Sequence, residues 1–417
     1  MTWASQPLRR VAPPQASAHR FDDEEEVWHL NLDQIESHTG RIVGRKLGPA
    51  SAAGSSTFVF DTGNVLYSKL RPYLNKVVRP AGAGIATTEL VPLRPIPGVL
   101  DPDFLSYFLR SPQFVAFASA CVAGVKMPRV IMDKLWQHPV PLPPPSEQRR
   151  VVELLDQADA LRRLRGEAHA KADRILPALF LKVFGDPATN PKAWRQRPLS
   201  EFGDIETGNT PSRKVPGYYG DDIEWIKSDN INTPSHFLTQ ASESLSVSGR
   251  RAGRTTPKGS TLVTCIAGSP DCIGNAALAE REVAFNQQIN AVAPRDGIDP
   301  FFLYAQFVVG KPLIQAASTG AMKGMVSKGR FSSILFLDPP PDLQAHFGAQ
   351  CAQLCDRLEA QRRVAATLEA LFAALLHRAF SGALTSSWRE AHLREVLQEM
   401  EQQARCLAAR ASQEAGA

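Results

Sequence analysis

The two halves of this 417-residue chain repeat one order of sequence features at an offset near 196 residues. The Thr-Gly-Asn-Val-Leu run at 62–66 falls on Lys-Gly-Ser-Thr-Leu at 258–262, and Asp-Pro-Asp-Phe-Leu at 101–105 falls on Asp-Pro-Phe-Phe-Leu at 299–303. A proline triplet followed by glutamine recurs as well, at 143–148 and 339–344. Because a long repeat requires both halves to form the same kind of unit, the sequence predicts two similar domains.

Each half has the pattern of a mixed α/β unit. Short β-like runs bounded by Gly and Pro lie at 57–60 and 64–67 in the first half, and at 223–226 and 261–264 in the second. One apolar helical stretch follows in each half, at 104–118 and 301–317. We therefore predict an α+β fold with two similar mixed domains.

A long helical pattern follows each proline triplet. Apolar residues recur at alternating spacings of three and four, and such a stripe needs a partner along its length. We predict two long antiparallel helices that form a coiled-coil-like rod, with Pro177 bending the first. The positions assigned to this packing are Val151, Leu154, Leu161, Ile175, Leu179, Leu354, Leu358, Leu368, Phe372 and Leu375.

These patterns divide the chain into five parts. The first domain covers 1–142, the first long helix 143–185, the second domain 186–338, the second long helix 339–382 and a helical tail 383–417. We expect the domains to be related by a pseudo-twofold axis and separated by the rod. Apolar residues in the tail are compatible with an extension of the bundle, with partner binding or with a frayed amphipathic helix.

Composition excludes several classes of protein. Lys and Arg number 47 against 42 Asp and Glu, a net charge of +5 that permits a polyanionic partner. The longest apolar run, 301–309, is too short to cross a bilayer, and residues 1–7 lack a signal-peptide pattern. The six cysteines include no C-x-x-C pair, so we expect free thiols, no metal, no membrane and a soluble cytoplasmic chain.

Four stretches of the chain, in this order, resemble the DNA-specificity (S) subunits of type I restriction-modification systems. Gly63–Lys76 (GNVLYSKLRPYLNK) resembles the recurrent target-recognition segment, and PLPPPSEQ at 141–148 resembles the start of the central helix. FGDP at 184–187 with NPKAW at 190–194 resembles the exit into the second recognition domain. TGNTPSR at 207–213, followed by DIEWIK at 222–227, resembles the opening of that domain.

The sequence departs from this pattern at three places. The first domain has an acidic run at 20–26 where a T-G-x-T-P-S-R opening would be sought. The second domain has KGSTLV at 258–263 in place of the Tyr-Ser-Lys-Leu-Arg-Pro segment, and the second helix begins with Leu343-Gln344 rather than Glu147-Gln148. Contact residues therefore cannot be copied from one half to the other.

The resemblance implies a subunit that performs no chemistry and holds no cofactor. Each recognition domain would read one half of a bipartite, asymmetric site in double-stranded DNA. The helices would set the spacer between the half-sites and dock two methyltransferase (modification) subunits, and restriction subunits could join that assembly.

Candidate DNA contacts in the first domain lie on two short segments. Cations on a rigid segment can meet phosphates, and an arginine fork can also pair with a guanine edge. A solvated strand edge is the alternative for the first segment. The candidates are Lys69, Arg71, Tyr73 and Lys76 on the first segment, with Lys126 and Arg129 after Gly124 on the second.

Candidates in the second domain lie on a Pro/Gly-rich loop, a strand end and a basic loop. Paired amides can read adenine edges, although ordinary strand polarity explains them equally well, and Trp225 is more consistent with the core. The candidates are Thr210, Ser212, Arg213, Lys214, Lys227 and Asn230, the amides Gln287 and Gln288, and Lys323, Lys328 and Arg330 after Gly320.

Two motifs that could indicate catalysis do not fit. Asp338-Pro339-Pro340-Pro341 lacks the aromatic residue of the D-P-P-aromatic loop of amino-methyltransferases, and Gly82-Ala83-Gly84 is too short for a nucleotide loop. The rival hypotheses are a self-sufficient DNA methyltransferase or nuclease with a degenerate catalytic motif, and a structural scaffold with no role on nucleic acid.

Overall fold

The computed structural model describes residues 3–319 and 324–415 and contains two compact units. Unit 1 comprises the residues up to Leu164 and those from Ala366 onward, and unit 2 comprises residues 165–365. These boundaries fall inside the two long helical segments, whereas the sequence division kept helices and domains apart. Both units mix strands and helices, so the predicted α+β class is confirmed.

Unit 1 contains short strands and short helices ahead of its long helix. Its strands are β1 (Ala4–Pro7), β2 (Glu26–Leu30), β3 (Lys46–Pro49), β4 (Thr57–Phe60), β5 (Val65–Ser68), β6 (Val77–Val78), β7 (Gly84–Thr87), β8 (Leu90–Leu93), β9 (Val122–Ala123), β10 (Arg129–Val130) and β11 (Pro139–Leu142). Its helices are α1 (Leu8–Val11), α2 (Pro102–Arg110), α3 (Pro112–Ala120), α4 (Met132–Trp136) and the start of α5 (Pro145–Ala172).

The core of unit 1 forms between its sheets and helices. Strands β3, β2, β7 and β4 make a four-stranded sheet in which β2 and β7 run parallel, and β6, β5 and β8 make an antiparallel sheet. All four residues of β5 are buried. Tyr67 on β5 shares one core cluster with Phe104 and Phe114 from the helices, which bury most of the apolar surface.

Unit 2 has the same kinds of elements between the two long helices. Its strands are β12 (Gln196–Pro198), β13 (Gly203–Thr207), β14 (Tyr219–Ile226), β15 (Ser244–Leu245), β16 (Thr255–Thr256), β17 (Thr261–Thr264), β18 (Ile266–Ala267), β19 (Ala276–Leu278), β20 (Val283–Phe285), β21 (Ile289–Pro294), β22 (Gly324–Met325) and β23 (Leu335–Leu337). Its helices are α6 (Ile175–Phe184), α7 (Val247–Ala252), α8 (Pro300–Val309), α9 (Lys311–Ala316), α10 (Lys328–Ser332) and the first part of α11 (Pro341–Phe380).

Strand pairing confirms the internal repeat. Strand β17 begins 196 residues after β5, and each lies between two antiparallel neighbours, in the orders β19-β17-β21 and β6-β5-β8. The parallel pair β2–β7 has its counterpart in the parallel pair β14–β20. Helices α2 and α8 begin alike, since Asp101 and Asp299 each accept two backbone N–H bonds ahead of a proline.

The first long helical segment is interrupted near Pro177, as the sequence predicts. Helix α5 ends at Ala172 and α6 begins at Ile175. Proline has no N–H for the carbonyl of Asp173, and its ring crowds that carbonyl. The break therefore falls one turn before Pro177.

The predicted packing stripe is wrong at two positions. Leu161 is 64% exposed and Ile175 is 47% exposed, whereas Leu155 and Leu176 are buried. Helix α5 buries no residue after Leu155, so Leu161 lies beyond its buried stretch. Helix α6 begins after the break with a new helical phase, in which Leu176 rather than Ile175 is buried.

The other packing positions are buried or half-buried. Val151, Leu358 and Phe372 are buried. Those that keep some exposure are Leu154, Leu179, Leu354, Leu368 and Leu375.

Within each unit, one arginine joins the two long helical segments. In unit 1, Arg162 Nε lies 2.9 Å from Glu369 Oε1, and its guanidinium stacks 4.0 Å from the Phe372 ring. In unit 2, Arg362 Nη2 lies 2.7 Å from Asp173 Oδ1. Helices that run antiparallel bring such residues together, so these contacts agree with the predicted pairing.

The C-terminal tail folds onto unit 1 as α12 (Ser386–Ala391) and α13 (Leu393–Ala415). Val396 and Leu407 on α13 are buried, and Gln403 Nε2 donates to the Val99 carbonyl at 2.7 Å. Of the alternatives that the sequence left open, the structure shows the tail packed on the core and not frayed. The tail is part of the unit 1 core.

All six cysteines are free. Within residues 3–319 and 324–415, no helix is both long enough and apolar enough to cross a membrane.

Candidate nucleic-acid interface

Backbone pairing in unit 1 brings the two predicted cationic segments together. Leu70 forms an isolated bridge with Arg129, and the Arg71 N–H donates to the Pro128 carbonyl at 2.7 Å. Arg71 adopts a left-handed conformation with φ of 49°, which turns the chain sharply after Lys69. The segment 69–73 therefore lies alongside the β9–β10 hairpin.

The turn of this hairpin is exposed. Gly124 has φ of +90°, which favours glycine, and Val125 after it is 99% exposed. Lys126 is exposed and Met127 is 48% exposed. A cation between two apolar side chains is thus presented to solvent beside Arg71.

A carboxylate fixes the cations at the base of the hairpin. Arg129 Nη2 and Nε donate to Glu89 Oε1 at 2.8 and 3.1 Å. Hydrogen bonds from Arg129, followed by the nearby charge of Lys69, hold the pKa of Glu89 below its usual range. We name Lys69, Glu89 and Arg129 the unit 1 charge cluster.

The other two candidates of this segment differ in exposure. Tyr73 is 48% exposed and remains available at the surface. Lys76 is half-buried and its Nζ donates to the Leu32 carbonyl at 2.6 Å. The Lys76 ammonium ties down the turn after β2, and a contact of Lys76 with DNA stays a prediction that its alanine variant tests.

In unit 2, the loop 208–214 is held against β14. Trp225 Nε1 donates to the Asn209 carbonyl at 3.3 Å, and Tyr219 Oη donates to the Pro211 carbonyl at 2.9 Å. Trp225 is 4% exposed, in agreement with its predicted place in the core. The side chains of Thr210, Ser212 and Lys214 remain exposed on this anchored loop.

Arg213 lies close to two aromatic rings. Its guanidinium carbon is 4.5 Å from the Tyr219 ring centroid and 5.9 Å from that of Trp225. Arg213 Nη2 donates to both carboxylate oxygens of Glu243 at 2.9 and 3.0 Å, and Lys227 Nζ donates to the same carboxylate. Bonds from Lys227 and then Arg213 lower the pKa of Glu243. We name Arg213, Lys227 and Glu243 the unit 2 charge cluster.

Two candidates in unit 2 are hydrogen-bonded within the protein. Asn230 is buried at 7% exposure, where it accepts a bond from the Lys227 N–H and donates to the Gln240 carbonyl. Gln288 is half-buried, and its Oε1 accepts bonds from Ser228 Oγ and Asn286 Nδ2. Both amides hold turns at strand ends, and a contact of either with DNA stays a prediction.

Gln287 is exposed and its Oε1 accepts a bond from Thr210 Oγ1. This contact joins the strand turn to the loop 208–214. The structure thus brings Gln287 to the same surface as the unit 2 charge cluster.

Two of the three cations of the second predicted basic loop, Lys328 and Arg330, lie in a helix and not in a loop. Lys328 and Arg330 lie in helix α10, which corresponds to α4 rather than to the hairpin turn with Lys126. Lys328 pairs with Glu206 at 3.6 Å, and Arg330 Nη1 donates to the Ala317 carbonyl at 3.4 Å. Lys323 lies outside the described residues.

Sequence reasoning missed the groups that organise the cations. Glu89 and Glu243 lie 40 and 30 residues from their arginine partners. No local spacing marks a carboxylate at such a distance. The aromatic residues of β14 were a usable signal for this surface, because Tyr219 and Trp225 lie among polar residues directly after the cationic loop 208–214.

Gly208 allows the loop 208–214 to approach β20, which yields a first testable prediction. A Cβ at this position would overlap the carbonyl oxygens of Asn286 and Phe285. Gly208→Ala should destabilise unit 2 by about 1–3 kcal/mol, because backbone atoms cannot yield as a flexible side chain does. Urea unfolding measures this loss. Gly268→Ala is the control, since nothing lies within 4 Å of its added Cβ, and an equal effect of the two changes would contradict the steric argument.

Comparison with known proteins finds similar sequences over part of the chain. Residues 191–377 match the family model of the type I restriction modification DNA specificity domain. The specificity subunit of the EcoDI type I restriction enzyme from Escherichia coli is 30% identical over 171 residues, which is 40% of this chain and 37% of that protein. The HindI specificity subunit from Haemophilus influenzae is 32% identical over 158 residues, 37% of this chain and 33% of that protein. The matched segments thus span about a third of the length of these relatives.

Solved structures share the fold over nearly the whole chain. A chain from a study of complex assembly and conformational transition of the type I R-M system covers 92% of this chain and 98% of its own length, with a TM-score of 0.57 and 22% identity. The type I S subunit from M. genitalium covers 91% of this chain and 96% of its own, with a TM-score of 0.51 and 14% identity. The resemblance to type I restriction-modification specificity subunits is confirmed by the sequence matches, in which residues 191–377 match the model of their DNA specificity domain.

Proposed function

We propose that this chain is the DNA sequence-recognition subunit of a type I restriction-modification complex. Each unit would read one half of a bipartite, asymmetric site in double-stranded DNA, and the long helices would set the spacer between the halves. The observation that carries the proposal is the repeated unit itself, which presents an exposed loop and a charge cluster in both copies. Two similar units with different surface side chains suit a DNA site with two different halves.

The chemistry of the two surfaces supports DNA as the ligand. Arginine and lysine supply the contacts that position a protein on phosphates, and an arginine fork can read guanine in the major groove. Arg71, Lys126 and Tyr73 would act in unit 1, together with Lys69 and Arg129 of the unit 1 charge cluster. Arg213, Lys214 and Gln287 would act in unit 2, where Thr210 and Ser212 add hydroxyl groups to the same loop.

The proposed subunit acts without catalysis or a cofactor of its own. Two methyltransferase subunits would dock on the helical region and supply the reaction, and restriction subunits would join in the full complex. The proposed location is the cytoplasm. A self-sufficient methyltransferase or nuclease is not favoured by the matches described above, which name specificity subunits, a DNA specificity domain or the type I system.

Reconstitution tests this proposal. The chain alone should neither bind S-adenosylmethionine nor modify DNA, whereas the complex with its methyltransferase subunits should methylate one bipartite sequence. Sequencing of methylated sites in the host genome gives both half-sites and the spacer. Methylation by the isolated chain, or a complex without sequence preference, would refute the proposal.

Phosphate contact makes a second testable prediction, on the salt dependence of binding. Lys126→Ala should reduce the slope of log Kd against log salt by about 0.9, the value for one lost phosphate contact. Lys76→Ala is the matched control, because its ammonium is already bonded to the Leu32 carbonyl and should not alter the slope. Fluorescence anisotropy at several salt concentrations measures both slopes. A changed base preference with an unchanged slope would assign Lys126 to direct readout instead.

A further inference from the structure

One carboxylate organises two cations at the candidate surface of each unit. In unit 2, Glu243 binds Arg213 and Lys227 at once, and all three side chains keep between 30% and 58% exposure. In unit 1, Glu89 binds Arg129 through two guanidinium nitrogens and lies near Lys69. Each cluster carries two positive charges and one negative charge.

The two clusters are built from different parts of the repeated fold. Glu243 immediately precedes β15 and pairs through its backbone with Trp225, whose N–H donates to the Glu243 carbonyl at 3.0 Å. Glu89 lies between β7 and β8, and its carbonyl accepts the Lys69 N–H at 3.0 Å. Because the positions do not correspond, the duplication alone does not account for the shared arrangement.

The carboxylate of unit 2 fixes the orientation of its arginine. Glu243 engages Nη2 of Arg213, while the guanidinium carbon lies 4.5 Å from the Tyr219 ring centroid and 5.9 Å from that of Trp225. The guanidinium is therefore held by one nitrogen and by contact with aromatic rings. Nε and Nη1 take no part in the bonds to Glu243, and N–H donors of this kind can bond to a phosphate or to a base acceptor.

We propose that Glu243 and Glu89 are positioning residues for sequence recognition, which orient Arg213 and Arg129 and withhold part of their charge from DNA of the wrong sequence. This inference rests on the proposed function and adds the source of discrimination to it. A free arginine can turn towards any phosphate, whereas a held arginine offers its donors in one geometry. The clusters therefore lower the affinity for DNA of any sequence and raise the ratio of cognate to non-cognate affinity.

Loss of the Glu243 charge should strengthen binding to cognate and to non-cognate DNA by different amounts. Removing the Glu243 charge adds one positive charge to the surface and releases two cations, which strengthens binding to any duplex. The freed Arg213 must then lose rotamer freedom when it binds one base edge, so cognate binding gains less. The ratio of cognate to non-cognate affinity should fall.

The test uses Glu243→Gln in the complete complex with its methyltransferase subunits. Binding is measured by anisotropy to the cognate duplex and to a duplex of equal length in which the half-site read by unit 2 is scrambled. We expect non-cognate Kd to fall by about 3-fold to 10-fold and the affinity ratio to fall by about 10-fold. Glu89→Gln should reduce the ratio only for the half-site read by unit 1.

Two matched variants separate positioning from net charge. Glu282→Gln makes the same charge change in unit 2, where Glu282 pairs with Arg250 at 2.5 Å away from the cluster, and should leave the ratio unchanged. Glu243→Asp keeps the charge but shortens the reach, so non-cognate affinity should stay near that of the unmodified complex while the ratio falls. Equal changes of the ratio in Glu243→Gln and Glu282→Gln, or equal weakening on both duplexes, would overturn the inference. A complex that shows no cognate preference before any substitution would refute the proposed function instead.

Discussion

Replacing Arg389 with leucine is expected to destabilise unit 1 by about 3–5 kcal/mol, because it leaves the fully buried carboxylate of Glu147 without its partner. The Glu147 side chain is 0% exposed and that of Arg389 is 11% exposed. Arg389 Nε and Nη2 donate to Glu147 Oε1 at 2.9 and 2.7 Å. Thr385 Oγ1 and Trp3 Nε1 donate to the same carboxylate at 2.5 and 3.1 Å, so the group is closely surrounded.

The repeat supplies the matched double variant. Leu343 takes the place of Glu147 in the second half, where it packs against the core of unit 2. The double variant Glu147→Leu with Arg389→Leu should recover most of the lost stability, since replacing both partners removes the unpaired charge. The surface variant Arg405→Leu is the second control, because Arg405 is 81% exposed and should cost less than about 0.5 kcal/mol.

Hydrogen exchange of the tail helix α13 measures this prediction locally. Arg389→Leu should lower the opening free energy of α13, since α12 and α13 dock beside the buried pair, while unit 2 should keep its protection. A tail that exchanges as slowly in Arg389→Leu as in Arg405→Leu would show that the ion pair does not hold it.

The docked tail shows where sequence reasoning stops. Glu147 and Arg389 are 242 residues apart, so no local spacing relates them. From the sequence, Glu147 belonged to a helix start and the tail could equally fray. Repeats and helices were predictable because turn residues and apolar periodicity are local signals. A buried ion pair between distant segments depends on tertiary packing.

The same limit applies to the candidate DNA surface. The segments with Arg71, Lys126 and Arg213 could be found because cations cluster on short Gly- and Pro-rich stretches. The sequence could not distinguish Asn230 from these exposed residues. A polar side chain at a strand end can face solvent or close the turn, and the local sequence is the same in both cases. Only the burial of the side chain in the folded structure distinguishes the two.

Lengthening both long helical segments by one heptad is expected to change the recognised spacer and leave both half-sites intact. Seven residues add about 10.5 Å to a helix, which corresponds to about three base pairs of duplex. One heptad also completes almost two helical turns, so the apolar stripe stays within about 20° of its former phase. Sites with the original spacer should lose binding by about 10³-fold or more, because only one half can then be read.

The insertion points follow from the contacts within each unit. One heptad after Leu164 and one after Ala365 leave the Arg162–Glu369 pair in unit 1 and the Arg362–Asp173 pair in unit 2 unchanged. A heptad in one helix alone should instead reduce stability, since the two segments would no longer match in length. Sequencing of methylated sites in cells that express the variant with its methyltransferase subunits reads the spacer directly. Seven residues inserted after the exposed Gly54 should leave the spacer unchanged, and an unchanged spacer in the double-heptad variant would show that the helices do not set it.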